Sequence, residues 1–168
     1  GIPCVPTWIF YDKKDALHWI GTVTFPLVHK LRRGAGSQNV QLVRSPKFAK
    51  KLVREAFNSG LKVYNPARSL KEIWRRIKIG KSGVKDLLEG LVRYIIPPPY
   101  ARVRGKEKGY IYFQNFIAGN DHDIRVVIVG DNAFAIKRMV RSGDFRASGS
   151  GNIHYDKNSF QDSTIMLA

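Results

Sequence analysis

Between Tyr110 and Val140 the chain reads as three strand-length runs separated by short reversals, and this limits what it can fold into. Residues 110–117, 123–129 and 133–140 are rich in Ile, Val, Phe and Tyr, and the second break is Gly130-Asp131-Asn132. These turn residues tolerate the backbone angles of a tight reversal. Strands joined by so few residues pair antiparallel, because a parallel pair needs a long crossover. The pattern predicts an antiparallel meander over residues 110–140 and an α+β fold class.

The first 60 residues carry a second, mixed pattern. Residues 5–10 read as a strand, and Asp12 is placed to cap a helix through Ala16, Leu17, Trp19 and Ile20. Residues 25–31 and 39–43 read as two strands around a hairpin-type loop, Arg32-Arg33-Gly34-Ala35-Gly36-Ser37-Gln38. Ser45-Pro46 then opens a helix in the preferred order of cap followed by first-position proline. Its apolar set is Phe48, Ala49, Leu52, Val53, Ala56 and Phe57, with Gly60 as the stop.

Residues 61–109 read as an inserted helical segment. Ser69-x-x-Glu72 has the form of a capping box opening a basic helix over 69–79. Val84, Leu87, Leu88, Leu91, Val92 and Ile95 form an apolar stripe over 83–96, which Pro97-Pro98-Pro99 must end. Residues 102–109 read as a polar connector, and the glycine- and serine-rich 143–156 as a loop over a site.

Charge and composition narrow the function classes. The 168 residues are 43% hydrophobic, enough for a core, and carry a net charge of +16. Residues 44–108 hold 18 Lys and Arg against 5 Asp and Glu, so +13 of that charge lies there. Such a field attracts nucleotide, nucleic acid or acidic membrane. No apolar run approaches the ~20 residues of a membrane span. The single cysteine, Cys4, excludes an internal disulfide and fits a reducing, cytoplasmic setting. His18, His29, His122 and His154 show no metal-ligand spacing, and neither a Gly-x-Ser-x-Gly elbow nor a Walker loop is present.

The order of these motifs resembles the nucleotide-binding region of the ATP-grasp ligases. The residues that carry the resemblance are Phe25-Pro26-Leu27-Val28-His29-Lys30-Leu31, the loop to Val40, Phe113-Gln114-Asn115-Phe116-Ile117, the strand from Asp123, and Asp144-Phe145-Arg146. The similarity is strongest to the branch with the ribosomal-protein glutamate ligase and glutathione-synthase-like enzymes. It covers residues 1–60 and 110–152. It implies a small lobe with a phosphate-binding loop over 1–60, a basic helical insertion over 61–109, and part of a large lobe over 110–168.

The resemblance also implies site residues. Lys30 would bind the α- and β-phosphates of ATP; as a strand lysine it costs core burial unless it meets an anion. Gly34, Gly36 and Ser37 would form the lid over the phosphates, where small side chains let backbone amides approach an anion. Gln114, Asn115, Phe116 and Ile117 would form the adenine hinge, and Asp123 would contact the ribose region. Arg146 and Arg138 would serve the transferring phosphoryl group, and Arg125 and Arg141 the substrate, since guanidinium suits such oxyanions bidentately. The implied partners are ATP, a small-molecule or peptide carboxylate, and an amine.

The family's magnesium carboxylates have no counterpart here, because no glutamate follows Glu107 and neither Asp156 nor Asp162 matches their pattern. The chain starts at Gly1 and stops at Ala168 in mid-pattern, so both ends are expected to be cuts through a longer protein, with the Mg2+ ligands beyond Ala168. On that expectation the chain alone does not complete the ligase reaction. The rival reading is a non-enzymatic basic module for nucleic acid or another polyanion. Independently of that choice, the basic helices at 69–79 and 83–96 are expected to engage an acidic macromolecule or substrate.

Overall fold

A computed structural model describes residues 4–32, 39–78, 80, 82–141, 143–156 and 164. The protein is mixed α+β with antiparallel sheets, and its chain divides into two compact units, residues 5–116 and residues 1–4 with 117–168.

The larger unit is built on a four-stranded sheet. Strands β1 (Thr7–Phe10), β2 (Leu27–Lys30), β3 (Val40–Val43) and β6 (Ile111–Asn115) lie in the order β1-β6-β2-β3, each pair antiparallel. Helix α1 (Lys13–Trp19) starts where the Asp12 carboxylate accepts from the Lys14 and Asp15 amides at 2.6 and 3.1 Å. Helix α2 (Pro46–Asn58) starts where Ser45 Oγ accepts from the Phe48 amide at 3.3 Å. Each cap satisfies helix amides that would otherwise lack a partner.

The two helices cover one face of the sheet. Ala16 and Ile20 meet Ala49, Leu52, Val53 and Ala56 over Leu27, Val43, Ile111 and Phe113, all buried. Trp19 stacks on Phe113 with ring centroids 5.6 Å apart, and Trp8 and Phe10 close on Trp19 at 5.0 and 5.1 Å.

The sheet corrects the expected meander. Residues 111–115 do not join the two strands that follow; they pair with β1 through Thr7↔Gln114 and with β2 through Val28↔Gln114. The apolar run of β6 is explained by this central position, where it is covered by α1 and flanked on both sides. The expected boundary near residue 110 accordingly falls after Phe116.

The insertion is clipped at its base. Strands β4 (Leu61–Lys62) and β5 (Lys106–Glu107) pair two residues from each end, the latter inside the expected polar connector. Gly60 makes the approach with φ +80°, and a Cβ there would lie 3.0 Å from Lys106 Cβ. Helix α3 (Pro66–Lys78) begins at Pro66, not at Ser69, and the Ser69 amide donates to the Asn65 carbonyl at 3.0 Å. Proline's fixed φ suits the first helical position, and it displaces the capping box predicted downstream.

Helix α4 (Val84–Ile95) ends before the prolines as predicted, and a further short helix, α5 (Pro99–Arg104), follows. Gly90 is buried against α3, where a Cβ would stand 2.6 Å from Ile73 Cδ1 and 2.9 Å from Leu70 Cδ2. The apolar stripe predicted for α4 does not become core. Leu87 is half-buried, but Val84, Leu88, Leu91, Val92 and Ile95 are exposed.

The second unit holds a three-stranded antiparallel sheet, β7 (His122–Val129), β8 (Asn132–Met139) and β9 (Ile153–His154). β7 and β8 pair from His122↔Met139 to Val129↔Asn132, leaving Gly130-Asp131 as the turn, with Gly130 at φ +57°. β9 falls inside the segment expected to be loop and pairs with Lys137 and Arg138.

Phe113 is fully buried at the centre of the aromatic cluster. Phe113→Ala is predicted to lower stability by about 3–5 kcal/mol. Ile9→Ala, on a half-exposed residue of the edge strand, should cost under ~1 kcal/mol. Urea denaturation of both variants checks the contrast.

Candidate functional site

Strand alternation places Lys30 on the sheet face opposite the Phe113 cluster. Val28 sits opposite Gln114 and Gln114 opposite Thr7, so Lys30, two residues beyond Val28, reaches Gln114 diagonally on that face. Lys30 Nζ donates to Gln114 Oε1 at 2.5 Å, and Gln114 Nε2 donates to Thr7 Oγ1 at 3.3 Å. The three side chains form a polar row across β2, β6 and β1. Partial burial lowers the Lys30 pKa, because desolvation penalises the ammonium. Among the described residues no carboxylate pairs with Lys30; its partner is a neutral amide.

The chain leaving β2 is held by a tyrosine outside the predicted site. Tyr110 Oη accepts from the Arg32 amide at 2.8 Å and donates to the Glu107 carboxylate. The Arg32 guanidinium lies over the same ring, 5.9 Å from its centroid. Burial, then the bond to Glu107, pushes the Tyr110 pKa up to about 12. The signal available in sequence was a tyrosine at the foot of a strand, which by itself is common. Gly34, Gly36 and Ser37, the predicted lid, lie outside the described residues, as does Asp162. On the far side of the loop Asn39 is buried, and its carbonyl accepts the Leu31 amide at 3.3 Å.

The predicted hinge divides between ladder and connector. Gln114 and Asn115 belong to β6, and the Asn115 amide donates to the Pro6 carbonyl at 2.9 Å. Phe116 and Ile117 lie beyond the strand, one on each side of the division between the two units, and Ile117 is half-exposed.

The arginines predicted to act together are set differently within the second unit. Arg138 is clamped by Asp123, its register partner, with Nε and a terminal nitrogen 2.6 and 2.7 Å from the two carboxylate oxygens. Arg146 grips Asp144 through Nε at 3.0 Å and a terminal nitrogen at 2.5 Å. Arg141 is buried, donates to the Ser148 carbonyl, and lies 3.9 Å from Asp144. Arg141 and Arg146 therefore share one carboxylate. Arg125 is exposed on β7, opposite Ile136.

Burial alone would raise the Asp144 pKa, but the Arg146 hydrogen bond, the Phe145 amide and the charges of Arg146 and Arg141 hold it below the usual carboxylate value. Its stabilising contribution is thus present above that usual value and is lost as pH falls through the lower, folded-state pKa. Among the described residues no group of three or more His, Cys, Asp or Glu side chains fits a metal ion.

The Tyr110 assignment gives a pH prediction. Its raised pKa means that its contribution is complete below about pH 10 and is lost as pH rises through about 12. Ultraviolet titration should show one of the seven tyrosines ionising near 12, and Tyr110→Phe should remove that step. Compared with models of protein families and with curated proteins, the chain matches none of them.

Proposed function

We propose that this chain is the ATP-binding region of an ATP-grasp carboxylate–amine ligase. The observation that carries the proposal is the Lys30–Gln114–Thr7 row, with a half-dehydrated lysine two residues before the β2–β3 loop. Bringing that ammonium into a partly apolar face costs solvation, and a neutral amide returns less of it than an anion would. A nucleotide phosphate over this face would give Lys30 a charged partner. Tyr110 supports the same reading, because it anchors the loop entrance beside Lys30.

The resemblance to ATP-grasp sequences implies an adenine contact at the hinge. Because the Asn115 amide is engaged by Pro6, Ile117 beyond the ladder is assigned the hinge contact. Arg138 and Arg146 are assigned to the phosphoryl group and Arg125 and Arg141 to substrate. The carboxylates of Asp123 and Asp144 hold two of these guanidinium groups in fixed orientation and balance their charge. In such a ligase ATP phosphorylates a carboxylate oxygen, and the amine then attacks the acyl carbon and releases phosphate.

Lys30→Ala is predicted to weaken binding of a non-hydrolysable ATP analogue by roughly 1.5–3 kcal/mol. Titration calorimetry measures it. Equal affinities in the variant and the parent would overturn the assignment.

A further inference from the structure

We infer that the helical insertion is a docking surface for an anionic lipid membrane, through the exposed apolar face of α4 and the basic side chains beside it. The inference stands apart from the nucleotide reading. At about 100° per residue, Val84, Leu88, Leu91, Val92 and Ile95 fall within one arc of α4 roughly 100° wide. Gly90 packs against α3, and it lies outside this arc, so the arc is a second apolar face, not the packing seam. It is open to solvent: Leu88 is 59% exposed, Val92 58% and Ile95 81%. Trp74 of α3 and Tyr94 of α4 are also half-exposed.

The segment that carries this face is basic. Residues 66–104 carry ten Lys and Arg against three Asp and Glu. Lys85 borders the arc, and Lys71, Lys78 and Arg102 are exposed on the same segment. No helix of the described residues is long and apolar enough to cross a membrane, so the geometry is that of a helix lying in the interface.

Charge complementarity decides the occupant. A second copy would bring another +16 against the first and be repelled. Nucleic acid would use the cations and an aromatic ring but leave five aliphatic side chains without a role. An anionic bilayer answers both features: the acyl boundary takes the aliphatic arc, the headgroups take the lysines, and Trp and Tyr suit the boundary between them.

The test is flotation of the 168-residue chain with phosphatidylcholine vesicles, with and without phosphatidylglycerol, at low and high salt. Binding should require the anionic lipid and weaken with salt. The pair Val92→Asp and Ile95→Asp should reduce binding at least ~tenfold, with helix content unchanged by circular dichroism. Lys71→Gln, Lys78→Gln and Lys85→Gln together, which leave the apolar arc intact, should also weaken it. Brominated lipid should quench a tryptophan component that Trp74→Phe removes. Equal binding to neutral vesicles, or anionic binding indifferent to the aspartate pair, would overturn the inference. So would binding to a DNA or RNA oligonucleotide without binding to vesicles, or a dimer in solution that the aspartate pair dissolves.

Discussion

The structure of the larger unit depends on one long-range pairing, the insertion of β6 between β1 and β2. Without it β1 has no neighbour and β2–β3 is an isolated hairpin, which water does not support alone. The pairing is held by Phe113, whose ring enters the layer formed by Trp19, Trp8 and Phe10. A single aromatic side chain thus ties a strand after residue 110 to the helix after residue 12. The same register that buries Phe113 puts Gln114 on the opposite face beside Lys30, because strand side chains alternate. Core packing and the candidate phosphate contact are two consequences of one strand register.

That coupling explains why a lysine sits in a strand otherwise buried along its length. Leu27, Val28 and His29 are buried, and His29 Nδ1 lies 3.0 Å from the Tyr112 carbonyl. Lys30 comes at the strand's end, where its stem can lie on the sheet while Nζ stays at the edge of solvent. The depressed pKa is the measure of that compromise. In the second unit charge is handled in the opposite way: Arg138 and Arg146 each have a carboxylate within hydrogen-bond reach. Lysine is left with a neutral neighbour where an anion is proposed to arrive, and the arginines are oriented by fixed ones.

Much of the local structure was legible because it rests on local chemistry. Asp12 and Ser45-Pro46 opened their helices, Pro97 to Pro99 bounded α4, and Gly130-Asp131 turned β7 into β8. The misses were tertiary. A strand such as 111–115 carries no mark of which neighbours it will choose, and proximity in sequence favoured β7. Likewise a helix with an apolar stripe looks the same whether the stripe is packed or exposed, and α4 uses Gly90 for close contact and leaves the stripe outside. At the site, Lys30 and Gln114 were legible as types in a pattern. That they touch follows from register, and the hold of Tyr110 on Arg32 follows from the chain folding back across a sequence separation of 78.

The insertion makes this folding back possible. Pairing Leu61 with Glu107 and Lys62 with Lys106 closes the segment at its base, and the Gly109 amide bonds the Ala56 carbonyl at 3.2 Å. With the base closed, β6 starts beside the end of α2, and the ordering cost of a long excursion is met once, in the clip. Loop-closure cost grows only slowly with length, so the excursion can hold two packed helices and a basic, partly apolar surface without disturbing the sheet. Glu107 belongs both to this clip and to the bond with Tyr110, which holds Arg32 at the start of the loop after Lys30. The base of the insertion and the edge of the candidate phosphate site are therefore joined through one carboxylate and one phenol. Because Glu107 takes part in both, the clip and the Tyr110 anchor are coupled through a single residue.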